Sequence, residues 1–91
     1  MTVVETKVVI SNRVGLHARP ARLLVQTAAQ FQSRIQVLSG EKSANARSIV
    51  GVLKLGAACG DILHIHAEGE DAQEAVKTLT DLIERKFDEE E

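Results

Sequence analysis

"NRVGLHARPARLL" (residues 12–24) separates two kinds of local order. Ahead of it, "TKVVI" (6–10) is β-branched and alternating, with Val4, Val8 and Ile10 on one face, which predicts a strand. "SNRVG" (11–15) then breaks that strand with turn residues. Over residues 18 to 30 the period changes: Ala21, Leu24, Val25 and Ala28 recur at helical spacing. The stretch also carries the chain's only proline, one of its three histidines and three of its eleven basic residues. A strand that passes to a helix through so short and so basic a turn fixes both the start of the fold and the first candidate site.

Outward from there, "SRIQVLSG" (33–40) returns to alternation, with Ile35 and Val37 inward. "SGEK" (39–42) reads as a hairpin turn into a short strand over residues 42–46. "RSIVGVLKLG" (47–56), with glycines at 51 and 56, predicts a short helix. "DILHIHA" (61–67) predicts a strand with Leu63, Ile65 and Ala67 on one face and His64 and His66 on the other. Ala75, Val76, Leu79, Leu82 and Ile83 form the stripe of a last helix. Asp71 followed by Glu74 reads as a capping-box variant at its start, and the helix is expected to reach about Phe87. The order is β-α-β-β-α-β-α. It predicts an α+β fold, an open-faced β-sandwich with a four-stranded antiparallel sheet and three helices on one face. One domain is expected over residues 1–88, followed by an acidic, solvated tail at 89–91.

Composition agrees with a single small core. The chain has 91 residues, 44% of them hydrophobic, with no tryptophan or tyrosine and only two phenylalanines, so aliphatic side chains must fill the interior. No apolar run of about 18 residues exists, which argues against a membrane span. "MTVVETK" lacks a basic flank followed by an apolar stretch, so no secretory signal is expected. Cys59 is the single cysteine. It excludes an internal disulfide framework and a Cys-cluster zinc site, and it points to a reducing, cytoplasmic location. In "AACGD" it reads as a small turn or core residue.

The net charge of −2 conceals an asymmetry: residues 6–60 hold eight basic residues and one acid, whereas residues 61–91 hold three basic residues and eleven acids. A basic half suits an anionic partner. Nucleic acid is disfavoured, because it asks for more positive charge and for aromatic stacking groups.

The chemistry concentrates at the start of the first helix. With His17 at the N-cap, Pro20 falls in the first turn, where a missing N–H costs little. The helix dipole and the unpaired first-turn amides favour an anion beside the ring. Arg19 supplies a fixed cation able to hold phosphate oxygens by paired hydrogen bonds. A histidine that accepts a phosphoryl group needs an accessible ring nitrogen, nearby N–H donors and a neighbouring cation. "GLHARP" (15–20) offers all three, and Gly15 allows a tight backbone approach that exposes the ring. The same residues also fit an ordinary N-cap histidine among scattered arginines.

"GLHARPA" (15–21) resembles the active-site signature of HPr, the family of histidine-containing phosphocarriers of the phosphoenolpyruvate-dependent sugar phosphotransferase system. "KSANARSIVGVLKLG" (42–56) resembles the family's second signature, around its regulatory serine. "AEGEDAQEAV" (67–76) resembles the start of its last helix. The resemblance covers nearly the whole chain, with the same element order. It implies that His17 is the phosphoryl acceptor, on Nδ1, and that Arg19 stabilises the phosphate. It also implies that Ser48 is a regulatory phosphorylation position, which local chemistry reads independently as the N-cap of the short helix.

The donor would then be enzyme I, the recipients enzyme IIA domains of sugar transporters, and a serine kinase/phosphorylase a further partner. The implied docking surface comprises Leu16, Ala18, Arg22, Arg47, Ile49, Val50 and Leu53, in a positive field to which Arg13, Arg19 and Lys54 add. Leu23, opposite the apolar stripe of its helix, could join that surface or pack under a loop. A carrier of this kind needs no cofactor or resident metal, completes each transfer in a partner's active site, and is expected to be a cytoplasmic monomer outside the membrane.

Two alternatives stand beside this reading. The acidic tail resembles the nitrogen-branch relative, NPr, although "SIVGVLKLG" is closer to the carbohydrate branch. A small module without an enzyme pocket could instead be a metal- or ligand-binding regulator, with His64 and His66 as zinc or copper ligands.

Overall fold

The computed structural model describes residues 2–88; the expected tail at 89–91 lies outside the described residues. Four strands and three helices follow in the expected order: β1 (Val3–Val9), α1 (Ala18–Ala28), β2 (Arg34–Ser39), β3 (Lys42–Asn45), α2 (Ile49–Lys54), β4 (Ile62–Glu68) and α3 (Ala72–Glu84). The strands form one antiparallel sheet in the order β1-β4-β2-β3. β1 and β4 pair from Val3↔Glu68 to Val9↔Ile62, and β4 pairs on its other side with β2. This is the open-faced α+β sandwich that the alternation patterns predict.

Each strand turns its apolar set to the helices. Val8, Ile35, Val37, Leu63, Ile65 and Ala67 are buried, while their neighbours along the strands are mostly exposed. The helices close over them with Ala21, Leu24 and Ala28 from α1, Val52 from α2, and the full stripe Ala75, Val76, Leu79, Leu82 and Ile83 from α3. Val25 and Leu23 lie half-buried at the margin of this core. The β2–β3 hairpin turns at Gly40, whose φ of 61° supplies the positive dihedral that a two-residue hairpin loop requires.

Three expectations at the element ends are corrected. α1 stops at Ala28 because its last turn tightens: the Gln30 amide donates to the Thr27 carbonyl at 3.1 Å. Asp71 occupies the N-cap of α3 but makes no capping bond there. Its carboxylate accepts instead from the amides of Gln32 and Ser33, at 2.8 and 2.9 Å, and from the Ser33 hydroxyl. Asp71 thus pins the start of β2 to the start of α3 and is not half of a capping box. The hydrogen bond from the Ser33 hydroxyl, followed by that from the Gln32 amide, holds its carboxyl below the usual carboxylate range.

The third correction is at the C-terminal end. α3 ends at Glu84, and Lys86, Phe87 and Asp88 turn with φ of 58°, 55° and 59°. Each such dihedral costs a non-glycine residue about 1–2 kcal/mol. The reversal folds Phe87 back under the helices, where it is the largest fully buried side chain of the described residues.

Candidate functional site

The turn ahead of α1 is built on a buried asparagine. Asn12 is fully buried; its Nδ2 donates to the Gly15 carbonyl at 2.8 Å, and its own carbonyl accepts from the Gly15 amide at 3.2 Å. Gly15 sits at φ 66°, and a Cβ there would lie 2.6 Å from the Ala57 carbonyl oxygen and 2.7 Å from Ala58 Cα. Leu16 completes the seal: its amide donates to the Ala57 carbonyl at 2.9 Å. The loop after α2 therefore clamps the loop before α1, and the next side chain, His17, is held out in solvent. Gly15 makes the close approach expected of it, but the structural role of Asn12 is not apparent in "SNRVG", which carries only turn propensity.

His17 is the N-cap of α1, in extended conformation, and its side chain makes no capping bond. The Ala21 amide donates to the His17 carbonyl at 2.9 Å, the first bond of the helix. The amides of Ala18 and Arg19 consequently have no intrahelical acceptor, and Pro20 contributes no donor. An anion carried on the ring would meet the positive end of an eleven-residue helix. Arg19 lies in the same turn, and its Nη1 donates to the Phe87 carbonyl at 3.2 Å. The strained turn at the end of the chain thus holds the cation that stands beside the histidine.

The remaining expected residues separate into two groups. Ala18 and Arg22 are exposed on α1, and Ile49, Val50 and Leu53 are exposed on α2, at 38, 58 and 41%. Val52 anchors α2 in the core, so the other apolar side chains of this short helix face outward. Val14, half-exposed in the same turn, is a further apolar surface residue that the pattern of turn residues does not single out.

Leu16 and Arg47 do not fit the expected surface. Leu16 is only 4% exposed, because its backbone is clamped against Ala57 and its side chain joins the core; it is corrected from docking residue to core residue. Arg47 bends away, its guanidinium donating to the Phe31 and Ser33 carbonyls beyond the far end of α1. Its charge therefore serves the α1–β2 loop and not the neighbourhood of His17.

These contacts also orient the helices. The C-terminal end of α2 adjoins the His17 loop, whereas its N-terminal end, at Ser48, lies toward the opposite end of α1. A six-residue helix spans about 9 Å, which separates Ser48 from the His17 end by roughly that length. Ser48 caps α2 as expected: its Oγ accepts from the Gly51 amide at 3.0 Å.

His64 and His66 lie on the outer face of the sheet, away from this site. His66 Nδ1 is 3.2 Å from Glu5 Oε2 across the β1–β4 pair. Among the described residues no group of three His, Cys, Asp or Glu side chains is placed to hold a metal ion. Cys59 is exposed in the loop before β4. Among the described residues no helix is long and apolar enough to cross a membrane.

An exposed histidine capping a helix, with an arginine in the same turn, defines a small phosphoryl-bearing module more readily than an enclosed active site. Comparison with known proteins agrees. The family model for the PTS HPr component phosphorylation site matches residues 4–85. Phosphocarrier protein HPr of Treponema pallidum is 43% identical over 81 residues, covering 89% of this chain and 92% of that protein. Phosphocarrier protein NPr of Shewanella violacea is 39% identical over 98% of both chains. The crystal structure of HPr-C-His from Thermoanaerobacter tengcongensis superposes with a TM-score of 0.93 at 50% identity, covering 97% of this chain and 99% of that one. The chain belongs to the HPr family of phosphocarrier proteins of the phosphotransferase system.

Proposed function

We propose that His17 accepts a phosphoryl group on Nδ1 from phosphorylated enzyme I, which draws it from phosphoenolpyruvate, and passes it to an enzyme IIA domain of a sugar transporter. In the first transfer the bond from phosphorus to enzyme I breaks as the P–N bond on His17 forms; in the second the His17 P–N bond breaks as a bond from phosphorus to the enzyme IIA acceptor forms. The chain is a stoichiometric carrier and each step is completed in a partner's active site, with positioning and charge stabilisation supplying the rate. The observation that carries this reading is the exposed His17 ring at the positive end of α1 with Arg19 in the same turn.

Ala18, Arg22, Ile49, Val50 and Leu53 form the docking surface, an apolar patch with a basic rim suited to an acidic partner face. Ser48, at the edge of that patch, is the regulatory position, open to a serine kinase/phosphorylase. The setting is the cytoplasm, where enzyme I acts. A nitrogen-branch role is the second reading, favoured by the end-to-end match to an NPr.

The test is incubation with phosphoenolpyruvate, magnesium and enzyme I of either branch. One acid-labile phosphate per chain is expected. It should vanish in His17→Ala and persist when His64 and His66 are changed. Labelling that survives His17→Ala overturns the site, and faster labelling by the nitrogen-branch enzyme I selects the second reading.

A further inference from the structure

β1 is an edge of the sheet; among the described residues no strand flanks it on the side away from β4. Its hydrogen-bonding parity follows from its ends. The Ile10 amide donates to the Asp61 carbonyl at 2.9 Å, the Ile10 carbonyl accepts from the Gly60 amide at 2.7 Å, and the Thr2 carbonyl accepts from the Gly69 amide at 2.8 Å. Even-numbered residues therefore direct their main-chain groups to β4. By the alternation of an antiparallel ladder, Val3, Glu5, Lys7 and Val9 direct theirs to the open edge. Their side chains lie on the outer face, and Val3 and Val9 are 52 and 53% exposed.

The sequence of this edge, "VVETKVV" (3–9), is self-complementary about Thr6. When the strand is laid antiparallel to a second copy of itself with Thr6 on the two-fold axis, Val3 faces Val9 and Glu5 faces Lys7, each twice. These odd-numbered pairs are the ones with main-chain groups free to bridge the seam, so up to about eight hydrogen bonds can form. A lysine on an edge strand ordinarily protects against such pairing, because it meets no opposite charge. Here Glu5, two residues before Lys7, supplies that charge. The other edge, β3, reads "KSAN" and has no such complement.

We propose that a second copy of this chain pairs with it along β1, joining two four-stranded sheets into one of eight, with reciprocal Glu5–Lys7 contacts fixing the register. The association is weak, because one strand from each copy forms the seam, and it adds a reversible dimer to the expected monomer. Glu5 is also the residue that contacts His66, so it bridges β4 within its own copy and β1 of the second.

Charge exchange tests this on the intact chain by sedimentation equilibrium, with circular dichroism to confirm folding. The wild type should self-associate with a Kd at or below about 1 mM. Glu5→Lys and Lys7→Glu should each weaken association by about tenfold or more, since every Glu5–Lys7 contact becomes a like-charge pair. The double exchange should restore it. An equimolar mixture of the two single variants should form a heterodimer, since both contacts between positions 5 and 7 across the seam then pair a lysine with a glutamate. A wild type that stays monomeric to about 1 mM, single variants that associate as the wild type does, or a folded double variant or mixture that does not associate would each overturn the proposal.

Discussion

His17 and Arg19 share one turn of α1 but stand differently toward the rest of the chain. The histidine is free of a capping bond, whereas the guanidinium is bound to the Phe87 carbonyl. For Arg19 to hold a phosphoryl group on His17, its fork must serve both acceptors or leave one. Arg19→Lys keeps the charge and loses the fork. Transfer from enzyme I should slow by roughly tenfold or more, about 1.4 kcal/mol of transition-state stabilisation, while the urea midpoint changes little. Unaltered rates in both directions would make Arg19 a bystander. At Ser48 the relevant property is that aspartate also caps helices. Ser48→Asp should keep α2 intact and place a charge beside Ile49 and Val50. Phosphorylation of His17 by enzyme I should then show a raised half-saturation concentration, with a smaller difference at high salt. Ser48→Ala should remain an acceptor on His17 and lose about 1 kcal/mol of stability with the cap.

At the level of elements, the two ends of α3 carry the least expected bonds. Asp71 is held below its usual pKa in the folded chain, chiefly by the Ser33 hydroxyl. Below the unfolded value the unfolded chain therefore binds the extra proton first. The stabilisation is complete above that value and is lost as the pH falls through the lower, folded one. Urea midpoints of wild type and Asp71→Asn should differ most near neutrality and converge in acid; a constant offset across the series would remove Asp71 from the acid transition. At the other end, Phe87→Ala should cost about 3–5 kcal/mol at unchanged m-value, and Phe87→Leu less than about 1.5 kcal/mol, as measured by denaturant midpoints.

Neither role was legible in the sequence, although the elements themselves were. Alternation and helical stripes register which face of a segment is apolar, so they located every strand and helix and most of the core. They carry no information about the long-range partner of a carboxylate, and so Asp71 was read with Glu74 instead of with Ser33. No glycine or proline marks the break after Glu84, and its left-handed turn is imposed by packing. The site was legible to the extent that it is local: His17 at the start of α1, Arg19 in the same turn and the Ser48 cap are set by neighbours within a few residues, whereas the partners of Gly15 and Arg19, Ala57 and Phe87, are not. Leu16 and Arg47 were misplaced because their environments are made by distant loops.

Across the whole molecule, the charge asymmetry becomes a kinetic statement. If the basic half meets acidic partners, encounter with enzyme I should slow as salt rises while kcat is unchanged, and kcat/KM measured at low and physiological ionic strength checks this. The sheet order has its own consequence. Among the described residues β1 has no partner strand except β4, the last strand. On a ribosome adding about 5–20 residues per second, the roughly 60 residues from Val9 to Glu68 take about 3–12 s to make, and the first strand waits unpaired throughout. Phe87, whose ring fills the core, arrives later still. The first strand made is thus among the last to be secured, and a nascent chain cut short before residue 87 has neither the plug of its core nor the carbonyl that steadies Arg19.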